Sequence, residues 1–216
     1  MFSVLRQRYL DLLASVYIYN EHQGYRGLER LLEAIRRRYP EEHEFIAAVE
    51  KHTSDERKHY RMFRHYFERQ GAMPYHVDRT CGYVDRFITI IFRRNLEDLD
   101  TEQLLSSDAL FFKLCRLIMM TEFRGMKQVD QLLRSRMVQS SPALMKIFRI
   151  VERDEPSHCY PYQHWLRKRG GHEPEFEERT VDLWIHYSLT LIKLPLLYLT
   201  PRLRRRTSWP DEVVVG

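Results

Sequence analysis

The sequence predicts an all-α fold: two pairs of long helices joined by a long crossover, with an additional helix towards the C-terminal end. Three observations predict it. Only eight Gly and nine Pro punctuate 216 residues that are 44% hydrophobic and 30% charged, a balance favouring long helices over a turn-rich sheet. Apolar residues recur at steps of three and four through four long stretches. The pattern of the first two stretches returns in the last two at offsets of 101 and 99 residues.

The first helix is expected over residues 3–38, with the inward stripe Leu10, Leu13, Tyr17, Glu21, Gly24, Leu28 and Leu31. A carboxylate therefore sits in mid-stripe, while Arg36, Arg37 and Arg38 suit the negative pole of the helix dipole. Pro40 breaks the chain, and a second helix follows over 41–70 with Glu41, Glu42 and Glu44 at its positive pole. It turns Phe45, Val49, His52, Glu56, His59, Phe63 and Tyr66 or Phe67 inward and ends at Gly71 and Pro74. Residues 71–100 are too many for a tight turn and form the crossover, with a shorter helix over 77–95.

The third helix, over 101–139, carries Phe111, Leu114, Ile118, Glu122, Gly125, Val129 and Leu132, each 101 positions after its counterpart in the first. The repeated glycines, Gly24 and Gly125, suggest that a small residue must leave room beside a carboxylate. Pro142 opens the fourth helix, which runs to 169 and stops at Gly170 and Gly171. Its inward set, Leu144, Phe148, Val151, Glu155, His158, Tyr162 and Trp165, matches the second helix at an offset of 99. Pro156 then requires a bend or bulge beside Glu155.

These helices and the crossover make up a domain over 1–171, followed by an apolar and basic helical extension over 172–206 and a poorly ordered tail over 207–216. The apolar run 183–198 is interrupted by His186, Lys193 and Pro195, so its uncharged pieces are too short to cross a bilayer. It either packs on the helices or makes peripheral membrane contact through 181–206. Cys81, Cys115 and Cys159 are odd in number and widely spaced, which argues against a disulfide framework or thiolate zinc site. Together with an N-terminal region that lacks an apolar signal segment, this gives a cytoplasmic expectation, including the inner face of a membrane. The net charge of +5 allows anionic partners, but no concentrated basic and aromatic stripe favours nucleic acid.

Four helices thus each turn one carboxylate inward, Glu21, Glu56, Glu122 and Glu155, and two add an imidazole one turn on, His59 and His158. Four ionised carboxylates on apolar faces would carry heavy desolvation and repulsion costs. Two divalent metals cancel their charge, and mixed oxygen and nitrogen donors suit iron or manganese. Glu152 reads as an ion-pairing residue, and His52, like His22, His65 and His164, as a satisfied core or surface histidine. His186 reads as remote from the site. Tyr17, Tyr60 and Tyr162 fall near the metal layer by helical phase, in packing roles.

In these motifs the chain resembles the ferritin-like diiron carboxylate superfamily, in which two helices give one Glu each and the other two give Glu-x-x-His. The resemblance spans residues 5–168 and implies a ferritin-like four-helix bundle with the crossover between its second and third helices. It implies two Fe ions, or Mn or a mixed Fe/Mn pair, held by Glu21, Glu56, His59, Glu122, Glu155 and His158 as the catalytic set. Asp55 and Asp154 precede the two motifs, and that doubled Asp-Glu-x-x-His form is similar to bacterial multicomponent monooxygenases. By that analogy Asp55 receives the ring N–H of His158, and Asp154 that of His59.

The resemblance implies an oxidoreductase that activates O2 to hydroxylate, desaturate or similarly oxidise a small apolar or amphipathic organic substrate, using an external electron donor. A homodimer is compatible with it. The alternatives are a ferroxidase or peroxidase of the ferritin and rubrerythrin type, and a non-enzymatic, metal-stabilised module acting at a membrane surface or in protein interactions.

Overall fold

The computed structural model describes residues 2–170 and 173–211, and it is all-α. Among these residues the one β feature is an isolated bridge between Tyr75 and Arg205. Two elements account for most of the first half: α1 (Phe2–Arg38) and α2 (His43–Glu68), which lie against each other along much of their lengths. The crossover holds a 3-10 turn (Arg79–Cys81) and α3 (Tyr83–Phe92), which rests on α1 and α5. It ends where Arg93 takes a left-handed φ of 56°, followed by a second 3-10 turn (Leu96–Asp98) tied to α1 by Arg30, whose guanidinium reaches the Leu99 carbonyl at 2.9 Å.

The third and fourth long helices are each interrupted, which corrects the continuous helices expected over 101–139 and 142–169. The third stretch becomes α4 (Thr101–Ser106), α5 (Asp108–Arg134) and α6 (Arg136–Gln139). Ser107 and Ser135 are the breaks. Ser107 is extended, and its hydroxyl accepts the Leu110 N–H at 3.2 Å, a capping bond that competes with helix continuation. The fourth stretch becomes α7 (Pro142–Asp154) and α8 (Pro156–Lys168), with Glu155 at the junction. Pro156 has no N–H to return to the preceding turn, so α8 restarts there, and the N–H groups of His158 and Cys159 both take the Glu155 carbonyl. Gly171, expected as part of the helix stop, lies outside the described residues.

Each long helix passes from one apolar cluster to another and crosses between them at its inward carboxylate. One cluster collects Leu28, Leu31 and Ile35 of α1, Phe45 and Val49 of α2, Phe111 and Leu114 of α5, and Tyr162 and Trp165 of α8. The other collects Leu10, Ala14 and Ile18, then Phe63 and Phe67, then Val129 and Leu133, then Leu144, Phe148 and Val151. Burial of each such side chain stabilises the fold by about 1.5–3 kcal/mol. The polar layer between the clusters is therefore framed by rigid packing above and below.

The C-terminal extension consists of α9 (Phe176–Tyr187), a π-helical turn (Ser188–Lys193) and α10 (Leu194–Leu199). Its inner face packs on α3, α5 and α1. Glu178 is fully buried against Arg116, with guanidinium to carboxylate contacts of 2.7 and 2.9 Å. Asp182 takes the Tyr83 hydroxyl at 2.6 Å and pairs with Arg124. Of the segment expected as a poorly ordered tail, residues 207–211 lie on α2: Trp209 packs beneath Arg64, and Tyr60 donates to Asp211. Residues 212–216 lie outside the described residues. No helix among the described residues is long and apolar enough to cross a membrane.

Candidate metal centre

The helical period brings Glu21 from α1, Glu56 and His59 from α2, Glu122 from α5, and Glu155 and His158 from the α7–α8 junction into one layer, all of them buried but Glu122, which is part-buried. Within it, single donor atoms of Glu21, Glu56 and His59 lie within 4.8 Å of one another. A second group within the same limit comprises His52, Glu56, Glu122 and His158. Glu56 belongs to both, and Glu155 to neither. The Glu155 carboxylate lies in the same layer, against Gly125, with Oε2 buried and unpartnered.

The two imidazoles are aimed by carboxylates from the opposite motif. His59 Nε2 lies 3.2 Å from Asp154 Oδ2, and His158 Nε2 lies 3.3 Å from Asp55 Oδ2. An ionised carboxylate only accepts, so each Nε2 carries the proton and each Nδ1 keeps its lone pair. Both Nδ1 atoms point into the layer: His59 Nδ1 is 3.4 Å from Glu21, and His158 Nδ1 is 3.6 Å from Glu56. Neither has a hydrogen-bond partner. Burial works against the charge on Asp55, but hydrogen bonds from His158, Lys51 and Lys58 overcome it and hold the carboxyl below its usual range. Lys58 reaches Asp154 as well, at 2.7 Å, which keeps that group ionised against its own burial.

The layer itself carries the opposite electrostatics. Burial, and then the charge of Glu122, pushes Glu21 up to about 8 despite a hydrogen bond with Glu56 that opposes the shift. Burial followed by the neighbouring carboxylates drives Glu56 and Glu155 well above the ordinary range, and burial raises Glu122 against the pull of His158 and His59. Burial lowers His158 to about 4 and His52 to about 3. Such a set wants positive charge that is not a proton. The donor types, the mutual approach and the orphaned nitrogens fit divalent cations.

His52 corrects the sequence reading, which treated it as a satisfied histidine. It is fully buried, stacks on His158 at a centroid distance of 4.2 Å, and neither of its ring nitrogens has a hydrogen-bond partner. Its Nε2 lies 3.6 Å from Glu122 and 3.8 Å from Glu56. The signal was present in the sequence: His52 occupies the inward stripe one turn before Glu56, where the other half has the apolar Val151. The two halves of the layer are therefore chemically unequal.

Gly24 also gains a reason. A Cβ there would stand 2.6 Å from Glu56 Oε2, whereas one at Gly125 would meet Glu155 at an ordinary 3.5 Å. Each glycine makes room for the carboxylate of the neighbouring helix. The remaining candidates are dispersed. Tyr17 and Tyr162 flank the layer with buried, unpartnered hydroxyls, while Tyr60 turns away to Asp211. His186 contacts Gln128 at 3.0 Å, outside the carboxylate layer, and Glu152 is exposed.

One cavity opens on the layer, lined by all four carboxylates, and a larger one adjoins that cavity. A space of about 100 Å³ is bounded by Glu21, Glu56, Glu122 and Glu155 together with Val16, Tyr17, Tyr83, Val84 and Leu189. A larger one of about 430 Å³ lies between α1, α5 and the C-terminal helices and shares Val16, Tyr17, Gln128 and Leu189 with the first. No carboxylate lines the larger cavity. Comparison of the chain with protein-family models, with curated proteins and with solved structures finds no match.

Proposed function

We propose that the chain is a ferritin-like four-helix bundle enzyme that holds two transition-metal ions and activates dioxygen to oxidise an apolar organic substrate. The observation carrying this reading is the layer of three buried carboxylates, the part-buried Glu122 and three buried imidazoles with unpartnered ring nitrogens, set between two apolar clusters and beside an apolar cavity. His52, Glu122 and His158 would hold one ion, and Glu21 and His59 the other. Glu56 would serve both, and Glu155 is a further carboxylate at the same layer. Iron is the expected metal, with manganese or a mixed pair as the alternative.

Held there in reduced form, the ions would supply electrons and open coordination positions to dioxygen, an external donor restoring them after turnover. The chain's own residues do the rest. Asp55 and Asp154 fix the Nε2–H tautomers and so present Nδ1 inward. Val16, Val84 and Leu189 give the small cavity apolar walls, and Tyr17, which lines both cavities and has a buried, unpartnered hydroxyl, offers a hydrogen bond to a substrate oxygen. The carboxylate-free larger cavity supports an organic substrate over the ferroxidase reading, since a path for hydrated iron would be served by acidic side chains.

The test is metal analysis of protein produced with iron supplementation, followed by oxygen uptake of the chemically reduced form. Two metals per chain and oxygen uptake are expected, with metal content halved or worse in Glu56→Ala. Well-folded protein that holds no transition metal would overturn the reading.

A further inference from the structure

The outer face of the C-terminal helices is an unbroken apolar stripe. Leu183, Trp184, Tyr187, Leu191, Ile192, Leu196 and Leu199 follow one another at helical spacing, and Trp184, Leu191 and Leu199 are 60%, 69% and 70% exposed. Val4 and Leu5 of α1 extend it, since the Tyr198 hydroxyl donates to the Leu5 carbonyl at 3.4 Å and Arg8 holds the Tyr198 carbonyl at 2.8 Å. A scattered exposed Leu needs no explanation, but a contiguous patch does.

Along this stretch of the sequence the charge has one sign, and Lys193 lies 3.8 Å from the exposed carboxylate of Asp78. No Asp or Glu occurs between Asp182, which is buried, and Asp211, whereas that interval contains Lys193, Arg202, Arg204, Arg205 and Arg206. Arg205 is engaged by Asp11, but Arg202 and Arg204 are exposed beside the end of α10, and Arg6 is exposed on α1 beside Leu5. Aliphatic bulk joined by Trp and Tyr, with exposed arginines at one end, is the composition of a helix lying in the plane of an anionic bilayer.

The same helices line the larger cavity from their inner side. His186, Leu189, Thr190, Leu194, Pro195 and Tyr198 face it, and its volume of about 430 Å³ lies within the roughly 300–1,000 Å³ of small-molecule sites. The π-helical turn, with one extra residue in the turn, contributes Leu191 and Ile192 to the stripe and Leu189 to the lining of both cavities.

We infer that this face seats the protein on an anionic lipid surface, and that the cavity behind it takes the apolar chain of an amphipathic molecule dissolved in that bilayer. The docking half stands on the stripe and its charges alone. The substrate half rests on the function proposed above, because it identifies the chain-binding cavity as the route to the metal layer.

The experiment is flotation of the full chain with phosphatidylcholine vesicles, with and without phosphatidylglycerol. The protein floats with the anionic vesicles, W184E/L191E stays at the bottom, and R202A/R204A binds roughly thirtyfold more weakly at low salt. Removing bound metal with a chelator leaves flotation unchanged, so loss of the metal reading and loss of docking are separate results. Absence of flotation overturns docking. So does a sedimentation profile in which the protein is a dimer that W184E/L191E converts to monomer, since a second copy would then cover the face. For the cavity, the fluorescent polyene cis-parinaric acid is the probe, titrated into metal-free protein. Binding that is lost in L194W while flotation persists supports the chain site, and binding unchanged in L194W overturns it.

Discussion

Gly24 and Gly125 occupy equivalent positions in the two halves, yet the structure asks different things of them. An alanine methyl at 24 would collide with the Glu56 carboxylate, the donor common to both groups, while one at 125 reaches only van der Waals contact with Glu155. Gly24→Ala is therefore expected to lower metal content at both positions, and Gly125→Ala to leave it near the parent value, as read by metal analysis on folded protein. His52 offers a second asymmetric comparison. Two unpartnered ring nitrogens in a fully buried side chain are costly without a metal, each unsatisfied group being worth about 1–3 kcal/mol. His52→Leu keeps the volume and removes the polar atoms. It should raise the melting temperature of the metal-free protein, yet weaken the binding of one metal of the two in a stepwise titration. Loss at neither position would return His52 to a packing role.

Among the elements, α9 is held by charge as well as by the apolar contacts of Val181 and Ile185. Arg116 and Glu178 are both buried, and their fork of contacts also engages Glu175 at 2.6 Å. Removing Glu178 leaves the buried Arg116 with only the exposed carboxylate of Glu175. Glu178→Ala should cost about 3–5 kcal/mol in chemical denaturation, and it should raise hydrogen exchange first in α9 and the π turn, with α2 unaffected. The break at Glu155 belongs to the same scale. Pro156 makes the second motif straddle a helix junction, whereas Glu56 and His59 ride one continuous helix. That difference accompanies the absence of Glu155 from both close donor groups.

For the molecule as a whole, the carboxylate layer makes stability without metal depend on pH in a direction unusual for acidic groups. Glu21 is pushed from an ordinary 4.5 up to about 8, so between pH 6.5 and 8 the folded chain holds a proton that the unfolded chain has released. His52 and His158, lowered from 6.5, are neutral in the folded state over that interval, and the protons their unfolded forms still carry near pH 6.5 make a smaller contribution of opposite sign. The unfolded state then binds fewer protons, and stability falls as pH rises, by about 1.4 kcal/mol per pH unit for each such carboxylate. Melting curves of metal-free protein should shift down by several degrees from pH 6.5 to 8. Divalent metal should flatten or invert that slope, since it binds the ionised carboxylates. A metal-free protein whose stability rises over this interval would contradict the burial of unpaired carboxylates.

What the sequence determined by itself is whatever depends on one helix at a time. The period of 3.6 residues puts Glu21, Glu56, His59, Glu122, Glu155 and His158 on inward faces. The doubled motif, read by resemblance, anticipated the pairings of His59 with Asp154 and His158 with Asp55. The helix break at Ser107 was missed because its capping hydroxyl competes with a strong apolar period, and the period alone was read; at Ser135 the backbone turns extended with no side-chain cap. Tertiary structure decided what depends on meetings between helices: that His52 faces Glu122 and His158 and not a bland core, and that Glu56 is shared between the groups. It also decided that the inner face of α9 and α10 closes a cavity while the outer face stays bare. Such features turn on the few ångströms separating side chains from different helices. Local periodicity sets a direction for each side chain, but only packing sets what it meets.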